Sequence, residues 1–226
     1  GYAPGNIAFT KIKFKTSKDF GNTWSNVNDL GSTCCNLLRN HPIKSQANPN
    51  EIILPAYNHS FGGSFYYISQ DNGKTWFPTQ LNIISDSSLQ PSIINLDLGG
   101  YLSFCRSRTG NILQQHSQDG YEWSKPIPTI LPNPNSALDL IKLHNGHIVL
   151  AFNNSKYNRN ELSLAISQDE GLTWPFIKKL PGSPENDDYP SLAQTDDELI
   201  HLSYSSFSKS EIDYIKFNEE WVLSEK

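Results

Sequence analysis

Methionine is absent from the 226-residue chain, even at position 1, so we expect a processed or trimmed piece of a longer protein. Cysteine is scarce: Cys34, Cys35 and Cys105 are too few, and odd in number, for a disulfide framework. No Cys or His pair has the spacing of a zinc site, and we predict neither a metal nor a cofactor. No run of about 20 apolar residues exists, so no membrane span is expected, and no signal peptide is visible.

Charge is also scarce. Charged residues make up 18% of the chain, and the net charge of −5 gives no general attraction to nucleic acid. Aromatic residues reach 12%, which argues against disorder. Abundant Asn, Ser, Gly and Pro favour strands and turns over helices. The composition therefore predicts one all-β domain over residues 1–226.

A short motif, S-x-D-x-G-x-T-W, recurs along the chain. It occupies residues 17–24, 69–76 and 167–174, and a copy shortened by one residue occupies 117–123. Its aspartates, Asp19, Asp71, Asp119 and Asp169, lie 52, 48 and 50 residues apart. A period near 50 residues is typical of a propeller blade of four antiparallel strands. We predict about four to five such blades.

The motif itself has a structural explanation. It spans a turn in which the Asp carboxylate accepts backbone N–H groups, the Gly adopts a positive φ, and the Trp packs between neighbouring sheets. We expect no catalytic role for it. The alternating segments between the motifs predict strands, and no capped amphipathic helix is expected. The predicted strands are 63–69, 92–96, 101–106, 112–117, 138–143, 147–153, 161–167, 191–195, 199–205 and 212–217, with 221–223 as a possible last strand.

These motifs resemble the Asp-boxes of sialidases, or neuraminidases, which are six-bladed β-propellers. Asp-boxes alone do not fix a function, since they also occur in sortilin-type receptors and photosystem assembly factors. The intervening segments resemble sialidase blades more specifically, and they are 90–96 with 100–106, 131–139, 159–164, and 188–192 with 200–204. The resemblance implies an all-β, sialidase-type β-propeller that lacks its first blades. It also implies a secreted or periplasmic protein and a glycan as substrate or ligand.

The resemblance further implies a site in which arginines grip the substrate carboxylate and a tyrosine is the nucleophile. Arginine forks bind carboxylates in a bidentate manner, and a neutral tyrosine is not repelled by that charge. Arg106 and Arg159 match two triad arginines, and Tyr189 matches the tyrosine. Gln90 stands where the family has an assisting glutamate. Further residues expected to line the pocket are Arg39, Tyr57, Asn135 and Asp139.

From the placement of Arg106 and Arg159 in consecutive blades we expect two unpaired guanidinium groups that face one pocket, with the Tyr189 hydroxyl beside them. Arg108 is a competitor of Arg106, and Lys209 stands near a family arginine. No segment matches the first triad arginine or the aspartate acid, and a glutamine is no base.

Three functions follow as alternatives. The first is an exo-acting glycoside hydrolase that removes terminal sialic acid or a related acidic sugar. The second is a non-catalytic carbohydrate- or protein-binding propeller. The third is a scaffold without a glycan site, in which Arg106 and Arg159 point apart.

Overall fold

The structure is a computed structural model that describes residues 10–31, 35–83, 88–181, 187–206 and 210–224. Within these ranges the chain forms eighteen strands and one five-residue helix. No helix there has the length and apolar character needed to cross a membrane. Cys34 and Lys209 lie outside the described residues. The prediction of an all-β fold is confirmed.

The strands form four antiparallel blades and one hairpin. The hairpin pairs β1 (Lys13–Phe14) with β2 (Asn28–Asp29). Blade I contains β3 (Asn36–Leu38), β4 (Ile43–Lys44), β5 (Ile52–Asn58), β6 (Gly63–Ser69) and β7 (Phe77–Pro78). Blade II contains β8 (Leu89–Asn95), β9 (Tyr101–Arg106), β10 (Asn111–Ser117) and β11 (Ile127–Pro132). Blade III contains β12 (Asp139–Lys142), β13 (Ile148–Asn153), β14 (Leu162–Ser167) and β15 (Phe176–Lys179).

Blade IV has three strands, β16 (Asp188–Gln194), β17 (Ile200–Ser206) and β18 (Glu211–Phe217). Helix α1 (Glu219–Leu223) follows, where a last strand over 221–223 was expected. That expectation, and the expectation of no capped helix, are wrong. The side chain of Asn218 accepts a hydrogen bond from the Trp221 N–H and caps the helix, and Val222 is buried. The helix packs against β14 and β15 of blade III.

The Asp-boxes occupy equivalent turns after β6, β10 and β14. In the box of blade I, Asp71 accepts the Thr75 N–H at 2.8 Å and the Thr75 hydroxyl at 2.7 Å. Asp19 and Asp169 make the same two bonds to Thr23 and Thr173. Every box Gly has a positive φ, as in the hairpins at Gly99, Gly100 and Gly146. The predicted turn geometry is confirmed.

The box tryptophans pack between blades where a preceding blade is present. Trp123 of blade II stacks on Tyr66 of blade I, with ring centroids 3.8 Å apart. Trp174 of blade III lies 5.7 Å from Phe104 of blade II. Trp24, in the hairpin, is 59% exposed, so the predicted packing is wrong for this ring. Burial of these rings against the apolar strands stabilises the stacking of one blade on the next.

The first long strand of each blade approaches its neighbours in chain order, β5 to β8, β8 to β12 and β12 to β16. Asp139, only 1% exposed, holds three blades together at this centre. Its carboxylate accepts the Ser92 hydroxyl of blade II at 2.9 Å and the Leu192 N–H of blade IV at 2.8 Å. The first residues of these strands therefore lie around one axis.

Candidate functional site

Two residues at this end of the axis have an unusual backbone. Gln90 and Tyr189 lie at the starts of β8 and β16 with φ of 52° and 56°. The register of each strand shifts at this point, between Leu89 and Ser92 and across the equivalent span of β16. A β-bulge redirects a side chain and interrupts pairing, and such irregularities are concentrated at functional sites. The side chains of Gln90 and Tyr189 are therefore positioned by the same kind of β-bulge.

Two guanidinium groups lie near the ring of Tyr189. The guanidinium carbons of Arg39 and Arg159 are 5.7 and 5.9 Å from the centroid of its ring. Cations at this distance are attracted to an aromatic face. Three residues that the sequence analysis singled out separately, from blades I, III and IV, are thus in contact.

Arg159 is already paired. Its Nη1 lies 2.6 Å from the carboxylate of Asp188, which is 1% exposed, and its Nη2 donates to the Asn135 carbonyl at 2.9 Å. The expectation of an unpaired guanidinium is wrong for this residue, because the aspartate directly before Tyr189 neutralises it. Asp188 is a site residue that the sequence analysis missed, and the signal available was its position in Asp188-Tyr189-Pro190.

Arg39 reaches from blade I across the axis. Its Nη2 donates to the Pro190 carbonyl of blade IV at 2.6 Å, and its Nη1 donates to the Leu138 carbonyl at 3.3 Å and to the Asn40 side chain. Burial lowers the pKa of this guanidinium, and the charge of Arg106 lowers it further, while Asp139 and the two tyrosines of the site favour its charged form.

Arg106 differs from the other two arginines. It ends β9, and its Nε and Nη1 are buried with no hydrogen-bond partner among the described residues. It is close enough to Arg39 for the two charges to repel. A buried donor without an acceptor costs about 1–3 kcal/mol, and more when it is charged. A bound anion would supply the missing acceptors.

Gln90 is buried and donates from Nε2 to the Tyr57 hydroxyl at 3.4 Å. Its Oε1 is buried without a partner in the described part of the chain. Besides the arginines, the site thus contains the Gln90 amide and the Tyr57 phenol, and no described residue donates a hydrogen bond to the Gln90 Oε1.

Comparisons with known proteins give the family and the fold of the chain. The model of the BNR repeat-like domain matches residues 1–202. The chain belongs to the BNR repeat-like domain family. No protein of curated function matches it by sequence.

Several solved structures share the fold of this BNR repeat-like domain. The NanB sialidase of Streptococcus pneumoniae superposes with a TM-score of 0.81 at 20% identity, over 94% of this chain and 36% of that one. The intramolecular trans-sialidase of Ruminococcus gnavus gives 0.80 at 21% identity, over 96% of this chain and 52% of that one. A putative exo-β-1,3-galactanase of Bifidobacterium bifidum gives a TM-score of 0.59 at 12% identity, over 77% of this chain and 65% of that one. The chain spans about a third to a half of the sialidases it matches. The predicted sialidase-like β-propeller is confirmed.

Within the BNR repeat-like domain, the predicted residues fall into two groups. Arg39, Arg106, Arg159, Tyr189, Gln90 and Tyr57 surround one region, and their binding of a ligand stays a prediction. Asp139 is buried by contacts between blades, and Asn135 contributes its backbone carbonyl to Arg159. Arg108 is exposed in the loop after β9. In the described ranges, no group of three His, Cys, Asp or Glu residues is arranged to hold a metal.

A separate cavity lies along the inner strands. It has a volume of about 830 Å³ and is lined by the later residues of the inner strands and the turns that follow, such as Ile94, Lys142 and Ala193. None of the three site arginines lines it. We place the candidate site by its charges and its unsatisfied polar atoms, because these are what an anionic ligand recognises.

Proposed function

We propose that this domain binds the carboxylate of a terminal acidic sugar with Arg106, together with Arg39 and Arg159, and that the protein is an exo-acting glycoside hydrolase of sialidase type. The observation that carries the proposal is Arg106. Its guanidinium has two buried nitrogens for which the described residues provide no acceptor, and a second guanidinium is close enough to repel it. A carboxylate fits this fork in charge and in shape.

Tyr189 supplies the nucleophile in this proposal. In sialic acid the carboxylate is attached to the reacting carbon, and a carboxylate nucleophile would be repelled by it. The phenol oxygen would form a bond to that carbon while the bond to the leaving oxygen breaks, a route on which sialidases depart from the usual two carboxylates. Solvent takes the proton that the phenol loses and supplies the one that the leaving oxygen gains. Water then attacks the sugar carbon and breaks its bond to the Tyr189 oxygen, which releases the sugar. Asp188 offsets the charge of Arg159 by pairing with it.

A second function has a specific observation in its favour. The residue at position 90 is a glutamine, whose amide takes no proton from a phenol near neutral pH. It donates to Tyr57 instead. A site with the arginines and without this base would bind the sugar and release it unchanged, as a non-catalytic glycan-binding propeller does.

The structural neighbours support a carbohydrate ligand in both cases. The R. gnavus structure holds oseltamivir carboxylate, and another neighbour carries the name putative exo-β-1,3-galactanase. The first supports an acidic sugar at the arginines. The second indicates that the same fold accommodates other glycosides.

Hydrolysis of a fluorogenic sialoside by the longest natural form of the protein tests the proposal. Release of the fluorophore that is abolished in Tyr189→Phe and in Arg106→Met supports the hydrolase. Sialic acid binding by calorimetry without any release supports the binding propeller. If the protein neither binds nor cleaves any of a set of acidic and neutral glycosides, both the hydrolase and the glycan-binding propeller are refuted.

A further inference from the structure

A second pocket lies next to the arginines. It has a volume of about 470 Å³ and is formed by three loops, those after β9, β11 and β13. Asn135 lines this pocket, and its backbone carbonyl accepts the bond from Arg159. We name it the loop pocket and define it by Arg108, Gly110, Asn133, Asn135, Lys156 and Tyr157. Asn135 therefore borders the loop pocket and also contacts Arg159 of the candidate site.

The loop pocket is positively charged in a chain whose net charge is −5. Arg108 and Lys156 both line it, and no acidic residue does. Neither cation forms an ion pair with any of the residues that the structure describes. Two cations without counter-ions at one concave surface attract an anion.

The loops hold these side chains in place. Gly110 has a φ of +85°, and the aliphatic stem of Lys156 lies over it, 3.7 Å from where a Cβ would be. The Gly110 carbonyl accepts the Asn133 N–H at 3.0 Å, which joins two of the loops. In the third loop, the Ser155 hydroxyl accepts the N–H of Tyr157 at 3.1 Å. The pocket is therefore built from fixed turns.

Tyr157 gives the pocket an aromatic wall. It is 91% exposed, which is unusual for a ring of its size because burial is favourable. An exposed ring beside hydrogen-bonding side chains is the arrangement that accepts the C–H face of a sugar, with the cations and amides around it for the polar groups. This combination differs from the candidate site, where two arginines lie near the ring of Tyr189.

We propose that the loop pocket is a subsite for the sugar next to the terminal one, and that it selects a sugar that carries an anionic substituent, sulfate or carboxylate. Its position relative to the terminal sugar rests on the proposed function, because the pocket adjoins Arg159 through Asn135. The charge preference rests on Arg108 and Lys156 alone.

Calorimetry with matched glycans tests this assignment, with Tyr189→Phe present in every chain titrated so that no sialoside is cleaved. We expect 3′-sialyllactose that carries a sulfate on its galactose to bind about tenfold more tightly than plain 3′-sialyllactose, the equivalent of one charge-assisted hydrogen bond. A disialylated lactose serves as the carboxylate arm. In Arg108→Gln/Lys156→Gln the advantage of both anionic glycans should disappear, and in Tyr157→Ala all three glycans should bind several-fold more weakly.

The charge-matched control is Lys18→Gln/Lys74→Gln, which removes two exposed lysines from two Asp-box turns and should keep the preference. Equal binding of sulfated and plain glycan by the chain that carries Tyr189→Phe alone would overturn the assignment, as would a preference that survives Arg108→Gln/Lys156→Gln. Sulfated lactose without sialic acid separates the two proposals. If it binds through Arg108 and Lys156 while sialic acid does not bind, the subsite stands and the proposed function fails.

Discussion

Gln90 and Tyr189 occupy the same position in two blades. Each is the second residue of the first strand of its blade, each precedes a proline, and each has a left-handed backbone. Such a conformation costs a non-glycine residue about 1 kcal/mol or more, so it persists only where the surrounding fold imposes it. The two blades thus present a glutamine and a tyrosine by one repeated device, and the chemistry of the site depends on which side chain each blade carries.

Replacement of Gln90 by glutamate places a proton acceptor at this position. We expect Gln90→Glu to raise the turnover of a fluorogenic sialoside about a hundredfold over the natural chain, because a positioned general base contributes at least that much. The gain should vanish in Gln90→Glu/Tyr189→Phe. Gln90→Ala is the control for loss of the amide, and a Gln90→Glu variant no more active than Gln90→Ala would contradict the prediction.

Replacement by methionine should affect the stability of the protein differently at Arg106 and at Arg159. Arg106→Met keeps an apolar stem and removes two buried nitrogens, Nε and Nη1, for which the described residues provide no acceptor. We therefore expect the free energy of unfolding to be unchanged or higher by about 1 kcal/mol. Arg159→Met removes the cation that pairs with buried Asp188, so this variant should have a free energy of unfolding about 2 kcal/mol lower than that of the natural chain. Urea denaturation of both variants measures this difference.

The affinity of Arg106→Met for sialic acid tests whether Arg106 binds the ligand. Sialic acid affinity should fall at least tenfold in Arg106→Met, the loss of one hydrogen bond to a charged group. A variant that loses stability as well as affinity would show that Arg106 is a structural residue, and the site assignment would then be wrong.

The strands that the sequence predicted best are those with strong local signals. For β6 (Gly63–Ser69) and β9 (Tyr101–Arg106) the predicted and observed bounds coincide, because each strand is a run of alternating or apolar residues that ends at a box or a glycine turn. The two-residue strands β1, β2, β4 and β7 carry no such signal, since pairing with a neighbour defines them. The helix after Asn218 was missed for a similar reason: Trp221 and Val222 suit a strand as well as a helix.

The site was predictable only in part. The resemblance to sialidases singled out Arg106, Arg159 and Tyr189, and the structure adds the residues that contact Arg159 and Tyr189. Arg39 donates to the carbonyl of Pro190, 151 residues away in the sequence, and no local pattern indicates such a contact. The pairing of Arg159 with Asp188 likewise depends on how blades III and IV stack.

Two adjacent glycines in the hairpin of blade II should differ in their tolerance of alanine. Gly99 and Gly100 have φ of +92° and +84°, so a Cβ strains either backbone by about 1 kcal/mol. At Gly99 nothing lies within 4 Å of the added atom, whereas at Gly100 the Ser117 carbonyl oxygen lies 2.6 Å from it. We expect Gly100→Ala to cost roughly 1–3 kcal/mol more than Gly99→Ala in thermal or urea unfolding. Equal losses would show that the close approach to Ser117 is not a constraint.

The Asp-boxes should make stability depend on acid pH. Hydrogen bonds from the backbone and hydroxyl of Thr75 lower the pKa of Asp71 to about 2, and the same groups of Thr23 lower that of Asp19 to about 2. An unfolded aspartate has a pKa near 3.9, so the unfolded state binds the proton first as the pH falls. The contribution of these two carboxylates is therefore complete above about pH 5 and is lost as the pH falls toward 2.

Asp71→Asn tests this dependence. The amide retains one acceptor and loses the charge, so the variant should be less stable than the natural chain at pH 7 and the two should converge as the pH approaches 2. Urea denaturation at intervals from pH 7 to pH 2 measures both curves. Asp196→Asn, which removes an exposed carboxylate outside the boxes, controls for net charge. Parallel curves for Asp71→Asn and the natural chain would mean that the box carboxylate does not titrate with folding, and that its hydrogen bonds to Thr75 act without help from its charge.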